Sequence, residues 1–473
     1  MIQAGMRQVA ALAALSLTSS LARAQACESL RPTESGAAQG NYGSAEVKSH
    51  DSASGRARVH YAASGPHAPP AAASLESGVP DAVVVAARAA DDAFAKFDEL
   101  GYRAPLSDAD SPCGSNGDSD AVDIYLLNFT AADGQAVLDH CQEGTPKRCA
   151  GFILIDNDFR SGGYADTAEG VRTVVPHELF HLVQNAYDVE VEQWWSEGSA
   201  QWAAKQVYPE LRDLERFLPA YFDNPWRPLN VPPSGPITNF LYATAIWPVF
   251  LSERFDDDVV REVLEQLTGD RDGVFPATQQ VLSARGSTLE REFLTFAAQN
   301  AATGVRAPDE GGYLHAADYP LLELTPFTPT VGSALNEIAS GLGAFYYSVS
   351  STTPVGLSLE QSDEKRVDAL LLPVVDGMVD LARGRPVEGM FEGKGIVVVA
   401  GQSLARVDAP FTLRATSVKP DRPAVGDDIG PDSSGCALGP RPSNASNLGS
   451  ALAIAAMLGL RASARRRRSR KDA

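Results

Sequence analysis

The feature that most constrains this chain is a short apolar run that carries two histidines and a glutamate. Residues 174–184 are Val-Val-Pro-His-Glu-Leu-Phe-His-Leu-Val-Gln. On a helix, His177 and His181 lie one turn apart on the same face, where two imidazoles can hold one zinc ion. Glu178 lies beside the first histidine and can accept a proton from water on that metal. The run therefore predicts a buried helix that carries a catalytic zinc site.

The start of this helix depends on Pro176. Proline is tolerated in the first turn of a helix, because the amides there have no intrahelical partner. The pattern thus predicts a helix from Thr173 to Ala186 with Thr173 as its N-cap. The chain has seven histidines, and an H-E-x-x-H string is expected by chance in roughly one such chain in a hundred. The simpler alternative is a pair of histidines at helical spacing that binds no metal.

A third ligand is predicted in the tryptophan-rich segment 194–202, Trp-Trp-Ser-Glu-Gly-Ser-Ala-Gln-Trp. Glu197 would complete a set of two histidines and one carboxylate, which leaves one zinc position open for water. It follows His181 by sixteen residues, enough for a loop and a second helix. The alternative role of Glu197 is a negative charge at a helix N-terminus. Glu190 and Glu192, in the predicted loop, are rival ligands.

These motifs resemble those of the gluzincin metallopeptidases, in which H-E-x-x-H is followed by Trp-x-Glu-Gly-x-Ala. More closely, residues 80–300 resemble a family of surface metalloproteases typical of myxobacteria. The matching segments are Asp123 to Leu126, Asn157 to Phe159, His177 to His181, Trp194 to Glu197 and Tyr242 to Leu251. The resemblance implies a zinc peptidase with His177, His181 and Glu197 as ligands and Glu178 as the catalytic residue. The sequence lacks the Gly-x-Met-Glu-Asn string of the aminopeptidases, which favours an endopeptidase.

The expected reaction is hydrolysis of a peptide bond by zinc-bound water. Zinc lowers the pKa of its water to roughly 7, and Glu178 accepts a proton as the hydroxide attacks the peptide carbonyl. A further donor should stabilise the oxyanion. Tyr242 is the predicted donor because it opens a helix after the ligand segment, and Tyr187 is its rival. A core position explains either tyrosine equally well.

The wider pattern predicts an α+β fold. Residues 79–318 are predicted to form a zincin-like catalytic domain with a small sheet, the H-E-x-x-H helix and a helical lobe. Residues 319–418 contain short alternating runs and are predicted to form a β-sandwich-like domain. The predicted strands are 122–129, 151–156, 343–349, 369–374, 395–400 and 410–415. The predicted helices are 80–100, 173–186, 196–208, 244–253, 257–267 and 289–301.

Both ends of the chain have features of exported proteins. Residues 1–24 have a positively charged start, a short apolar run and a small-x-small cleavage site, typical of a signal peptide rather than an N-terminal anchor. Residues 25–78 are rich in Ala, Ser, Gly and Pro and predict an irregular arm or pro-segment. Residues 419–446 form a polar linker that contains Cys436. Residues 447–473 comprise an apolar segment and an arginine-rich tail.

The Gly-Cys pair, the apolar segment and the terminal arginines resemble the MYXO-CTERM sorting tag of myxobacterial surface proteins. That resemblance implies processing near Cys436 by a sorting protease, followed by anchoring at the cell surface or outer membrane, or release. The alternative is an ordinary tail anchor with its positive end inside. Both interpretations place the body of the protein outside the cytoplasm and bring the C-terminal segment to a membrane.

Charge and cysteine content agree with this location. The formal net charge is −20, which argues against a nucleic-acid partner. Besides the cysteine of the tail, the chain has Cys27, Cys113, Cys141 and Cys149, an even number as expected for disulfides in an oxidising compartment. Cys141 and Cys149 are predicted to pair across a short loop, which leaves Cys27 with Cys113. Sequence alone permits three pairings.

An acidic loop precedes the first predicted strand. Asp108, Asp110, Asp118, Asp120 and Asp123 offer the hard oxygen ligands that calcium prefers. Their spacing does not match an EF-hand loop, so a solvated acidic loop is the simpler interpretation. A structural calcium ion is the alternative.

The sequence therefore predicts an exported, surface-anchored zinc metalloendopeptidase that acts on protein or peptide substrates. One alternative is a surface adhesion or binding protein that holds metal without catalysis. Glu178 argues against it, because a purely structural zinc site needs no base. The other is a zinc hydrolase with non-peptide substrates. The shape of the cleft separates the two hydrolases, since a long groove beside a sheet edge suits peptides.

Overall fold

The computed structural model describes most of the chain between its two ends. The described residues are 30–37, 40–109, 116–129, 132–160, 162–231, 239–267, 273–362, 366–404 and 407–417. The predicted signal peptide, the linker with Cys436, the arginine-rich tail, Cys27 and Cys113 lie outside these ranges. Within the described residues, no helix is long and apolar enough to span a membrane.

A five-stranded sheet forms the first layer of the fold, in the order β1-β2-β3-β5-β4. Its strands are β1 (Val47–Asp51), β2 (Ala57–Ala62), β3 (Val122–Leu127), β4 (Gly134–Gln142) and β5 (Arg148–Asp156). β3 runs parallel to β2 and β5, whereas β1 and β4 are antiparallel to their neighbours at the two edges. Cys141 and Cys149 face each other in the β4–β5 register and form the predicted disulfide, which is confirmed.

Two helices cover one face of this sheet. They are α1 (Asp81–Glu99) and α2 (Thr167–Asn185). α1 buries alanine and phenylalanine side chains at helical spacing, and these join strand residues such as Val59, Ile124 and Ile153 in one core. α2 packs against α1, β4 and β5. α2 therefore lies at the edge of the sheet that β4 forms.

The N-terminal arm covers the opposite face of the sheet. Tyr42 packs with Tyr125, Phe152 and Leu154 in a separate small core. The guanidinium of Arg31 lies 5.0 Å from the ring centre of Phe152. Residues 25–78 were predicted to be irregular, and for residues 47–62 that prediction is wrong. β1 and β2 form a hairpin there, and its polar, exposed outer strand hides the alternation that marks a strand.

In the described part of the chain, seven helices form a lobe after α2. They are α3 (Gln193–Val207), α4 (Asp213–Phe222), α5 (Asn239–Ala243), α6 (Ile246–Arg254), α7 (Asp258–Gln266), α8 (Val274–Ala284) and α9 (Leu289–Asn300). The predicted helix 244–253 corresponds to α6, which begins two residues later and ends one residue later. The aromatic rings of Trp247, Phe250 and Phe296 lie in contact at the centre of the lobe.

The C-terminal region is a second, larger sheet. Its strands are β6 (Thr325–Phe327), β7 (Ala334–Ser340), β8 (Ala344–Gln361), β9 (Val367–Val375), β10 (Met378–Val379), β11 (Arg385–Pro386), β12 (Gly389–Gly401) and β13 (Asp408–Thr416). The main order is β10-β9-β12-β8-β13-β7, and all of these pairs are antiparallel.

Alternate residues of this sheet enter two different cores. Ile396 and Val398 of β12 face α9 and join the core of the helical lobe. Val397 and Val399 face the other way, into a core formed by the strands themselves. The predicted α+β class, with a small sheet, a helical lobe and a β-rich C-terminal region, is confirmed.

Candidate metal centre

The helix with the two histidines begins earlier than the sequence predicts. α2 starts at Thr167, and its N-cap is Asp166 rather than Thr173. The side chain of Asp166 accepts a hydrogen bond from Glu169 N at 2.8 Å, which satisfies one amide of the first turn. Pro176 therefore lies in the helix interior, where its missing N–H removes one backbone hydrogen bond.

The structure brings the three predicted ligands together from two helices. Nε2 of His177 lies 3.2 Å from Nε2 of His181. Oε2 of Glu197, on α3, lies 3.3 Å from the first of these nitrogens and 3.6 Å from the second. The three side chains are mostly buried, with exposed fractions of 9%, 15% and 19%.

This donor set fits a divalent metal ion. In tetrahedral coordination at roughly 2.0–2.2 Å, the ligand atoms lie roughly 3.3–3.6 Å apart. The observed separations of 3.2, 3.3 and 3.6 Å are close to that range. Two imidazoles and a carboxylate are also the ligand types that zinc takes in catalytic sites. Among the residues that the structure describes, His177, His181 and Glu197 are the group of His, Cys, Asp or Glu side chains close enough to share an ion.

The side chain of Glu178 extends from α2 toward the edge strand β4. Its side chain is buried, with 7% of the residue exposed. Burial raises the pKa of Glu178 above its ordinary value, while His177 and His181 act in the opposite direction. The backbone N–H of Ala136 in β4 also favours the ionised carboxylate. The glutamate is thus held beside the ligand pair and faces the sheet edge.

Close packing between α3 and α5 fixes the position of Glu197. A Cβ atom on Gly198, the next residue, would lie 2.5 Å from Oγ1 of Thr244. That hydroxyl lies 2.6 Å from the carbonyl oxygens of both Trp194 and Leu241. The first turn of α3 is therefore hydrogen-bonded to Thr244 at the end of α5. This contact directs the carboxylate of Glu197 toward the histidines.

The charges of the three ligands are coupled. Burial would lower the pKa of His181, but the carboxylate of Glu197 raises it to about 9. Burial would raise the pKa of Glu197, yet His181 and His177 hold it well below its ordinary value. Glu197 is therefore ionised at neutral pH and gives the site the negative charge that attracts a cation.

Of the two tyrosines predicted as oxyanion donors, Tyr242 lies beside the ligands. Its ring centre is 5.7 Å from that of His177 and 4.8 Å from that of Phe217. Burial raises the pKa of Tyr242, and the charges of nearby glutamates raise it further. The hydroxyl of Tyr187 instead accepts a hydrogen bond from Arg103 N at 3.0 Å.

The rival acidic ligands are placed elsewhere. The carboxylate of Glu192 accepts a hydrogen bond from Val274 N at 2.6 Å, at the start of α8. Neither Glu190 nor Glu192 belongs to the group that can share an ion with the histidines. Glu192 thus stabilises a helix N-terminus, the role that was considered for Glu197.

The hydrogen-bond partner of His181 was not predicted from the sequence. The side-chain oxygen of Gln184 lies 2.8 Å from His181 Nδ1. Its nitrogen donates to Ser196 O and to Ser199 Oγ, both at 2.9 Å. A signal for this residue exists in the sequence, because Gln184 is a polar residue one turn after His181 in an otherwise apolar run.

The acidic loop uses two of its aspartates for another purpose. Asp108 and Asp123 are both paired with the guanidinium of Arg31. Asp110 lies outside the described residues, and the described aspartates of this loop do not form a group that could share an ion. The structure therefore gives the predicted calcium site no support. The guanidinium of Arg31 supplies the positive charge that a metal ion would have provided.

Comparisons with known proteins do not assign this chain to a family. No protein-family model matches the sequence, and no curated protein matches it. A solved structure that resembles it is the crystal structure of Legionella pneumophila aminopeptidase A in complex with aspartic acid, with a TM-score of 0.34 and 10% sequence identity. The match covers 80% of this chain and 38% of that chain, so it spans well under half of the relative's length. A TM-score this low does not establish a shared fold, and the gluzincin and myxobacterial resemblances stay predictions.

Proposed function

We propose that this chain is an exported zinc metallopeptidase of the gluzincin type. His177, His181 and Glu197 hold the metal, and Glu178 is the general base. The observation that carries the proposal is the convergence of three donor atoms from α2 and α3, within 3.2–3.6 Å of one another, beside a buried glutamate.

Each side chain has a distinct task in this proposal. Bound zinc would supply a Lewis acid that polarises a carbonyl oxygen and makes water more acidic. Glu178 accepts a proton from the attacking water and passes it to the leaving amine. Tyr242 donates a hydrogen bond to the oxygen that becomes negative in the transition state. A metal site with only a structural role would need neither of the last two groups.

The position of β4 supports an extended peptide as the substrate. In the described part of the sheet, β4 pairs with β5 on one side and forms the edge on the other. Gly134 and Ala136 of this strand both lie next to Glu178. A peptide that added to the sheet edge would therefore run past the glutamate and the three ligands.

The proposed export is supported by the disulfide between Cys141 and Cys149, because such bonds persist in oxidising compartments. Anchoring at the cell surface through the C-terminal segment, and processing near Cys436, rest on the sequence resemblance of the tail. They are part of the proposal.

The test measures zinc content and casein hydrolysis for the wild-type chain and for Glu178→Gln. We expect about one zinc ion per chain in both proteins. We expect casein hydrolysis by the variant to fall by roughly 10²–10⁴-fold, because the metal ligands stay while the base is lost. Glu210→Gln is the matched control, since Glu210 is exposed and pairs only with Arg172 among the described contacts. It should retain wild-type zinc content and activity.

The outcomes separate the competing functions. Zinc binding with hydrolysis of amino-acid anilides but not of casein would identify an aminopeptidase. Zinc binding without hydrolysis of any peptide would favour the adhesion protein or a different hydrolase. A folded chain that binds no zinc would contradict the proposal that His177, His181 and Glu197 hold this metal.

A further inference from the structure

We propose that Gln184 is a positioning residue for the metal site. It fixes the tautomer of His181 and ties that histidine to the helix that carries Glu197. This inference rests on the proposed function, because the role it assigns is directed toward a metal ion held by the three ligands.

The orientation of the Gln184 amide follows from its hydrogen-bond partners. Its nitrogen lies 2.9 Å from the carbonyl oxygen of Ser196, an atom that can only accept. It also lies 2.9 Å from Oγ of Ser199, whose own proton goes to the carbonyl oxygen of Trp195 at 2.7 Å. Both positions require a donor, so the amide oxygen must face the other way, toward His181.

This orientation selects one form of the imidazole. The amide oxygen of Gln184 lies 2.8 Å from Nδ1 of His181. Because an amide oxygen cannot donate, Nδ1 must carry the proton, and in the neutral ring Nε2 then presents its lone pair. Nε2 is the atom that faces Nε2 of His177 at 3.2 Å and Oε2 of Glu197 at 3.6 Å. Gln184 thus selects the tautomer that can bind metal at this position.

The same amide is rigidly held. Gln184 is 2% exposed. Oγ of Ser196 donates a second hydrogen bond to the amide oxygen at 2.9 Å, so all four hydrogen-bonding positions of the amide are used. Rotation of the side chain would leave several buried polar groups without partners. The ring of His181 is therefore held in one orientation before any metal binds.

Gln184 also connects the two ligand helices. Its oxygen orients a histidine of α2, and its nitrogen binds Ser196 and Ser199, which flank Glu197 in α3. One side chain therefore sets both the direction of His181 and the approach of the helix with the carboxylate. Outer hydrogen-bond partners of metal ligands typically contribute roughly 10–100-fold to metal affinity or activity.

The test compares two variants of the full-length chain. Gln184→Met keeps a similar side-chain volume but removes the amide. Gln299→Met is the matched control, because it makes the same exchange in α9, where the amide nitrogen of Gln299 donates to the carbonyl oxygen of Gly311 at 3.2 Å. Zinc affinity is measured by competition with a chelator. Nitrogen-15 NMR of the zinc-loaded, histidine-labelled chain reports which ring nitrogen of His181 carries the proton and how fast that proton exchanges.

We expect zinc affinity to fall roughly 10–100-fold in Gln184→Met, with faster exchange of the Nδ1 proton of His181. Gln299→Met should stay close to the wild type in both measurements. Unchanged affinity and exchange in Gln184→Met would show that the residue only packs the helices, and zinc binding through Nδ1 would also overturn the inference. If Gln184→Met does not fold, the wild-type spectrum decides: a protected Nδ1 proton supports the inference, and its absence overturns it.

These outcomes are distinct from failure of the proposed function. A wild-type chain that binds zinc through Nε2 of His181 but hydrolyses no peptide would overturn the peptidase proposal and leave the role of Gln184 in place. A wild-type chain that binds no zinc would overturn both.

Discussion

Gly134 determines how closely β4 can approach the helix with the two histidines. A Cβ atom added there would lie 2.4 Å from Cγ1 of Val174 and 3.0 Å from the carboxylate oxygen Oε1 of Glu178. The first distance is far shorter than any real contact between carbon atoms, because such atoms attract best at roughly 3.5–4.0 Å. The missing side chain thus lets the strand pass directly beside the proposed base.

Gly134→Ala should therefore push β4 away from α2. We expect the free energy of unfolding to fall by about 1–3 kcal/mol, as for other overpacked sites. We expect kcat/KM for a peptide substrate to fall by roughly 10–100-fold, because the base and the sheet edge lose their alignment. The neighbouring variant Gln135→Ala, at an exposed position of the same strand, should change neither quantity. Wild-type activity in Gly134→Ala would show that the strand can move without consequence.

The residues of the site differ in how far sequence alone reveals them. His177, Glu178 and His181 are predictable because their relation is local to one helix. Glu197 could be preferred over Glu190 and Glu192 because these two lie in the predicted loop, but its distance from the histidines depends on how α3 crosses α2. Gln184 carries a visible signal only once the helix is known to be buried, because a polar residue there then needs a partner.

At the scale of elements, the N-terminal arm is attached to the sheet by a buried charge cluster. Arg31 is 1% exposed and pairs with Asp108, Asp123 and Asp139. His60 lies on the far side of the second aspartate, with Nε2 at 2.8 Å from Oδ1. Removal of the guanidinium would leave three buried carboxylates without their common counter-charge.

Arg31→Met should destabilise the sheet strongly. We expect a loss of about 3–5 kcal/mol in the free energy of unfolding at neutral pH, the cost typical of breaking a buried ion pair from one side. Arg56→Met is the control, because Arg56 pairs with Asp98 at the surface, where such a bond contributes about 0–1 kcal/mol. Urea unfolding of both variants measures the difference. Equal losses would mean that the arm is held by its apolar contacts rather than by the charge cluster.

Elements with a regular buried periodicity were predicted from the sequence, and elements without one were missed. α1 and α9 were predicted within about two residues, because their buried faces repeat at helical spacing. β1 and β4 are edge strands. β1 is mostly polar and exposed, and β4 carries Asp139 and His140 at buried positions, so neither strand shows a clear alternation of apolar and polar residues. The start of α2 was misplaced because Pro176 was taken as a first-turn residue. The pair Asp166 and Glu169, three residues apart, marked the true start.

At the scale of the whole molecule, the C-terminal sheet shares a core with the helical lobe. Ile396 is 1% exposed and belongs to the same buried cluster as Phe293 of α9. All five tryptophans lie in the region before residue 250. Four of them lie in α3 and α6, whereas the backbone of Trp226 lies beside Gly343 at the start of β8. Their fluorescence therefore reports mainly on the helical lobe and the candidate metal site.

Ile396→Ala should lower the stability that tryptophan fluorescence reports, although the substitution lies in the C-terminal sheet. We expect a loss of about 2–5 kcal/mol, the usual cost of deleting a buried isoleucine side chain. Ile338→Ala is the control, because Ile338 is 58% exposed on β7. An unchanged fluorescence midpoint in Ile396→Ala, with a change visible by circular dichroism of the strands, would show that the two regions unfold independently.

The partners of Arg31 also bear on the order in which the chain can fold. They follow it by 77, 92 and 108 residues. A chain that emerges from its N-terminus therefore carries this arginine without its full set of native partners until β4 has been made. Contacts of such long sequence separation form late, because a large loop must close before they give any stabilisation. The arm that comes first in the sequence is thus among the last parts of this sheet to reach its place, and the face beneath it stays uncovered until then.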